Sequence, residues 1–111
     1  MFLNDWTDVE GLLKDFEIDS LGDNVKILIA SYTYEDYNGD AFVLFEQDGL
    51  LYEVNGGHCS CYGLEDQWEP ELTTVEAIRK RIDSEYFSSY HGGNLFKKIL
   101  TKILDDYEAS N

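Results

Sequence analysis

The sequence predicts one α+β domain spanning residues 1–111, a small three-stranded antiparallel meander packed with helices in the order α-β-β-β-α-α. Three observations carry that expectation. Apolar residues recur at helical spacing near both ends of the chain, while three runs rich in β-branched and aromatic residues, separated by turn-forming residues, fill the middle. A hydrophobic content of 43% over 111 residues is enough to fill a core, and the length has room for one compact domain rather than two. The formal net charge of −15 would suit a disordered chain, but an aromatic content of 14% and dense Ile, Leu and Val runs exclude that class.

In residues 5–16, Trp6, Val9, Leu13 and Phe16 follow 3–4–3 spacing, and Thr7 with Glu10 matches a capping box, so a short amphipathic helix is expected. Gly22 and Asp23-Asn24 end that pattern. Residues 25–34 then read as a strand, with Val25, Ile27 and Ile29 on one face and Leu28, Ala30, Tyr32 and Tyr34 on the other. Bulk on both faces predicts a sheet covered, at least partly, on both sides.

A turn at Asn38-Gly39-Asp40 leads to a second strand over 41–46, and Asp48-Gly49 is a hairpin signal before a third over 50–54. Gly56-Gly57 closes it. Residues 58–71 read as one irregular loop, with Pro70 blocking a helix. Thr73 with Glu76 opens a helix bearing Val75, Ile78 and Ile82, and Arg79-Lys80-Arg81 around its flank point in different directions, so they offset nearby acids rather than form one basic face. After Gly92-Gly93, Asn94 caps a last helix whose Leu95, Phe96, Ile99, Leu100, Ile103 and Tyr107 form a broad apolar stripe.

The charge is unevenly placed. Residues 1–71 hold 17 acidic and 2 basic side chains, and residues 72–111 hold 6 of each. Such polarity steers cationic partners inward and repels nucleic acid and membrane phosphates. The apolar runs fall well short of the roughly 20 residues a membrane helix needs, and no basic-then-apolar signal segment opens the chain, so a cytoplasmic protein is expected.

Chemistry-bearing motifs are few. His58, Cys59 and Cys61 place three zinc-type ligands within four residues, and His91 or Glu65 would have to complete a tetrahedral set. Cys59 and Cys61 stand too close for the paired-cysteine spacing of a zinc finger, and small cysteines in a tight turn are the competing reading. A thiol nucleophile paired with His91 is disfavoured, because Glu65, Asp66, Glu69 and Glu71 oppose a thiolate. Neither glycine pair has the context of a phosphate loop, and the acids near Asp36 and Asp40 lack calcium-loop spacing. No catalytic residue is assigned, and the chain is expected not to be an enzyme.

Acids interleaved with aromatics are the stronger signal. Glu35, Asp36, Asp40, Glu65, Asp66, Glu69 and Glu71 would meet Lys and Arg of a partner, with Tyr62 and Trp68 as anchors. The competing reading is a solvated acidic surface over ordinary core tyrosines.

The stretch from Phe42 through Asp48-Gly49, Tyr52-Glu53-Val54, Gly57-His58-Cys59-Ser60-Cys61-Tyr62-Gly63-Leu64-Glu65 and Gln67-Trp68-Glu69-Pro70-Glu71 resembles a group of small acidic proteins of bacteriophages and prophages. The resemblance covers about the middle third of the chain and assigns no catalytic or binding residue. It implies a context akin to that of phage inhibitors of host defence, such as anti-restriction, anti-CRISPR and DNA-mimic proteins. The expected function is therefore a phage-encoded interaction protein, monomer or homodimer, that binds the basic nucleic-acid-binding surface of a host protein in the bacterial cytoplasm. Two alternatives stand beside it: a zinc or redox module at His58, Cys59 and Cys61, and a homo-oligomeric accessory phage protein using the last helix.

Overall fold

A computed structural model describes residues 1–35, 38–58, 63–83 and 93–110. Its elements are β1 (Phe2–Asn4), α1 (Val9–Phe16), β2 (Val25–Glu35), β3 (Asn38–Gln47), β4 (Leu50–His58), β5 (Glu71–Thr73), α2 (Val75–Ile82) and α3 (Gly93–Ser110). The α+β class holds, but the sheet is not a three-stranded antiparallel meander. It is a mixed five-stranded sheet in the order β1-β2-β3-β4-β5, with β1 parallel to β2 and the remaining pairs antiparallel.

The two additional strands have three residues each, too few for alternation to show in sequence. Pairing rather than propensity forms them. The Ala30 amide donates to the Met1 carbonyl at 2.8 Å and the Asp5 amide to the Tyr32 carbonyl at 2.8 Å, locking β1 along β2. A parallel neighbour requires a crossover connection, and α1 is that crossover. It lies on one face of the sheet, while α2 and α3 cover the other.

Each layer has its own core. On the α1 side, Trp6, Leu12, Phe16, Ala30, Tyr32, Val43, Phe45, Val54 and Leu64 pack together. On the α2/α3 side, Ile29, Phe42, Leu44, Leu51, Ile78, Phe96, Leu100 and Leu104 do so. Of the last-helix stripe, Phe96 and Leu100 are buried in this core, Ile99, Ile103 and Tyr107 are half-buried against it, and Leu95 is 67% exposed.

A register shift between Ile27 and Ile29 corrects the expected alternation of β2. The bulged strand sends Val25, Ile27, Ala30 and Tyr32 to the α1 side and both Leu28 and Ile29 to the opposite side. Helix boundaries also shift. Asp8, not Thr7, caps α1 by accepting the Gly11 amide at 3.0 Å, so Trp6 precedes the helix and fills the core from a turn. Thr74, not Thr73, caps α2 through the Ala77 amide at 3.1 Å, and Thr73 belongs to β5. Asn94 lies inside α3, which begins at Gly93, rather than before it.

Asn38, Gly39 and Asp40 are strand residues paired with Glu35, Tyr34 and Thr33, not the turn that the sequence suggests. At Gly39 a side chain would collide with the Thr33 carbonyl oxygen. The Asp48-Gly49 hairpin is present, with φ of 53° and 83° as a type I′ turn requires. Among the described residues no helix is long and apolar enough to cross a membrane.

Two of the three basic residues on α2 are taken up inside the domain. Arg79 meets Asp105 at 2.7 Å and Glu108 at 2.5 Å on α3. Arg81 meets Glu53 at 2.6 Å, and its guanidinium lies 5.8 Å from the Phe42 ring centre. Glu53 also accepts from the Asn55 side-chain amide at 2.7 Å and is buried, so this ion pair joins helix to sheet where water is largely excluded.

Two outcomes follow for urea denaturation. Gly39→Ala should lower stability by roughly 2–4 kcal/mol, since backbone must move to admit a methyl group. Arg81→Met should lower it by about 2 kcal/mol, because a buried carboxylate loses its charge partner, and by more than Arg79→Met, whose acids stay in water.

Candidate functional site

Residues 63–69 are held against the α1 side of the sheet by three side chains, Gln67, Leu64 and Trp68. Gln67 accepts the Gly57 amide at 2.8 Å and donates to the carbonyls of Gly57 at 2.7 Å and Gly63 at 2.6 Å, continuing the strand ladder with an amide in place of a backbone. Leu64 plugs into the α1-side core, directly over Gly56, where a β-carbon would stand 3.1 Å from the leucine side chain. Trp68 stacks on Phe45 at 5.8 Å between ring centres and meets Phe16 edge-on at 5.1 Å.

This packing leaves a groove of about 470 Å³ between the end of α1 and the loop, lined by Phe16, Glu17, Ile18, Glu65, Asp66, Trp68 and Glu69. An adjoining cleft of about 480 Å³, which shares Glu17 and Glu65 with it, adds Lys14, Asp15 and Tyr32. Asp15 is fixed in place by the Trp6 indole, which donates to it at 2.7 Å, and Glu65 accepts the Gly63 amide at 3.1 Å. The combined surface has an aromatic and aliphatic floor with carboxylates along its walls.

Of the residues expected to contact a partner, Glu65, Asp66, Trp68 and Glu69 meet here. Asp40 and Glu71 do not. Asp40 shares a face of β3 with Phe42 and Leu44, and Glu71 stands opposite Glu53, so alternation places both on the α2/α3 side of the sheet. Partial burial there pushes the Asp40 carboxyl above its usual range. Glu35 and His58 are described only as the ends of β2 and β4, and Asp36, Cys59, Cys61 and Tyr62 lie outside the described residues, as does His91. Among the described residues no three His, Cys, Asp or Glu side chains converge as a metal ion would need.

Asp15, Glu17 and Gln67 are absent from the sequence-based set. Glu17 had a local signal: it occupies the left-handed C-terminal position of α1 at φ 56°, where glycine or asparagine is usual, and it puts negative charge at the negative end of the helix. Asp66, at φ 64°, is also left-handed. The groove thus has two acids on backbone that disfavours them.

Fold and charge coincide. Among the described residues Lys14 is the one lysine or arginine of the α1 layer, whereas Arg79, Lys80 and Arg81 belong to α2, Lys97, Lys98 and Lys102 to α3, and Lys26 borders a cleft against α3. No family model, curated protein or solved structure matches the chain.

Glu17→Gly should raise stability by about 1 kcal/mol, seen as a higher midpoint in thermal unfolding, because it removes both the left-handed penalty and the unfavourable charge. A lower midpoint would show that Glu17 holds the fold through contacts instead.

Proposed function

We propose that this chain is a non-enzymatic interaction protein that covers the basic, nucleic-acid-binding surface of a cytoplasmic bacterial partner through the groove between α1 and residues 63–69. The single observation behind this reading is the groove itself: Glu17, Glu65, Asp66 and Glu69 are brought from two chain segments around Trp68, Asp15 lines the cleft that adjoins it, and Lys14 is the one cation among the described residues that line the two.

Carboxylates spread along a groove suit several separate cationic side chains. An arginine gains charge-assisted hydrogen bonds from the acids and a π-face from Trp68. The polar distribution of charge steers such a partner toward the α1 layer, because the basic residues of α2 and α3 lie on the opposite side. Occupying a nucleic-acid-binding surface requires the negative sign found here. The phage context, inhibition of a host defence protein and mimicry of DNA follow from the sequence resemblance and belong to the same proposal.

Affinity capture from bacterial lysate at low and high salt, with mass spectrometry, tests the reading. A specific nucleic-acid-binding protein released by salt is the expected result. Reversing Glu17, Glu65, Asp66 and Glu69 to lysine should weaken its binding by at least a hundredfold and flatten the salt dependence; unchanged affinity refutes the assignment of the groove.

A further inference from the structure

The outer face of α3 carries its charge in two blocks. Lys97, Lys98 and Lys102 fall in the first part of the helix and Asp105, Asp106 and Glu108 in the second, so α3 is neutral in sum but segregated along its length. That order does not serve the helix. Glu108 stands in the last turn, where the terminal carbonyls favour a cation, and Lys98 and Lys102 are like charges one turn apart. Arg79 holds Asp105 and Glu108, each through a single oxygen. Lys97 lies 3.8 Å from Asp83 and Lys102 3.6 Å from Asp106, but the Lys102 and Asp106 side chains are 78% and 68% exposed, and pairs so placed contribute little to stability. Thr101, a short residue at the middle of the face, lines an open hollow of about 550 Å³ together with Lys97, Lys98, Lys102 and Asp105.

We infer that this face binds a second copy of the chain, the two α3 helices running antiparallel about a twofold axis between Thr101 and Lys102. Charge complementarity selects both the occupant and the direction. In that register Lys98 stands opposite the second copy's Asp105 and Lys97 opposite its Asp106, and the symmetry makes each pair twice. A parallel arrangement would set lysine against lysine and acid against acid. The rest of the surface argues for the same face. Residues 1–71 carry 17 acids against 2 basic residues, so copies repel one another there, whereas the α2/α3 layer comes from residues 72–111, in which 6 acids are balanced by 6 basic residues. At physiological ionic strength repulsion between the distant acids is screened over about 8 Å, while charges in direct contact across the helices still attract. A dimer built in this way turns both α1 layers outward, so the contact is independent of the groove.

Sedimentation equilibrium over a range of protein concentrations, at physiological salt, tests this with two variants, Lys97→Glu with Lys98→Glu and Asp105→Lys with Asp106→Lys. The unaltered chain should form a dimer. Each variant alone presents nearly one sign along the whole face and should dimerise at least tenfold more weakly, whereas an equimolar mixture of the two should associate as a heterodimer, because reversed and unreversed blocks then face each other in opposite sign. Three results overturn the inference. One is an unaltered chain that stays monomeric into the millimolar range. Another is a dimer of unchanged affinity in either variant. The third is a mixture of the two variants, both folded by circular dichroism, that associates no more tightly than each does alone.

Discussion

Five consecutive residues of β3, from Ala41 to Phe45, are at most 3% exposed, and the rest of the structure depends on that burial. Successive strand residues point to opposite faces, so an unbroken apolar run needs cover on both sides. The covering layers come from different parts of the chain. Trp6, α1 and Leu64 supply one, and α2 with α3 supplies the other. The parallel pairing of β1 with β2 follows from the same need, since it carries α1 across the face that the C-terminal helices leave open.

Where the charge lies is a consequence of that layering. The α2/α3 layer contains nearly all the basic residues and pairs several of them with acids, through Arg79 on α3 and Arg81 on Glu53. The α1 layer has no comparable supply of cations. Its acids concentrate where α1 ends and the 63–69 segment folds over it, and repulsion among them is tolerated because they line a solvent-filled groove rather than a core. Glu17 and Asp66 add a conformational cost to the electrostatic one, and neither position serves the hydrophobic cores.

The candidate site was partly legible in sequence. Glu65, Asp66, Trp68 and Glu69 lie within five residues, and their proximity is a local property of the chain. Asp15 and Glu17 join them only because α1 packs across the sheet onto that segment. Asp40 and Glu71 looked equivalent to the others as acids near aromatics, yet strand parity sends them through the sheet to the far side. Trp68 has a double role that composition could not show, stacking on Phe45 below while bordering the groove above.

By itself the sequence determined the α+β class, the two-sided burial of the sheet, the Asp48-Gly49 hairpin, the amphipathic helices and the asymmetry of charge. Each of these is written in short-range patterns of residue type, to which local backbone geometry responds directly. Tertiary structure alone decided the five-strand order, the face switch at the β2 bulge and the set of acids that share a groove. Strands as short as β1 and β5 gain their stability from pairing with distant residues, and a single bulge reverses which face later side chains take. Adjacency between α1 and residues 63–69 likewise arises from packing two separate segments onto one apolar face, for which no local pattern exists.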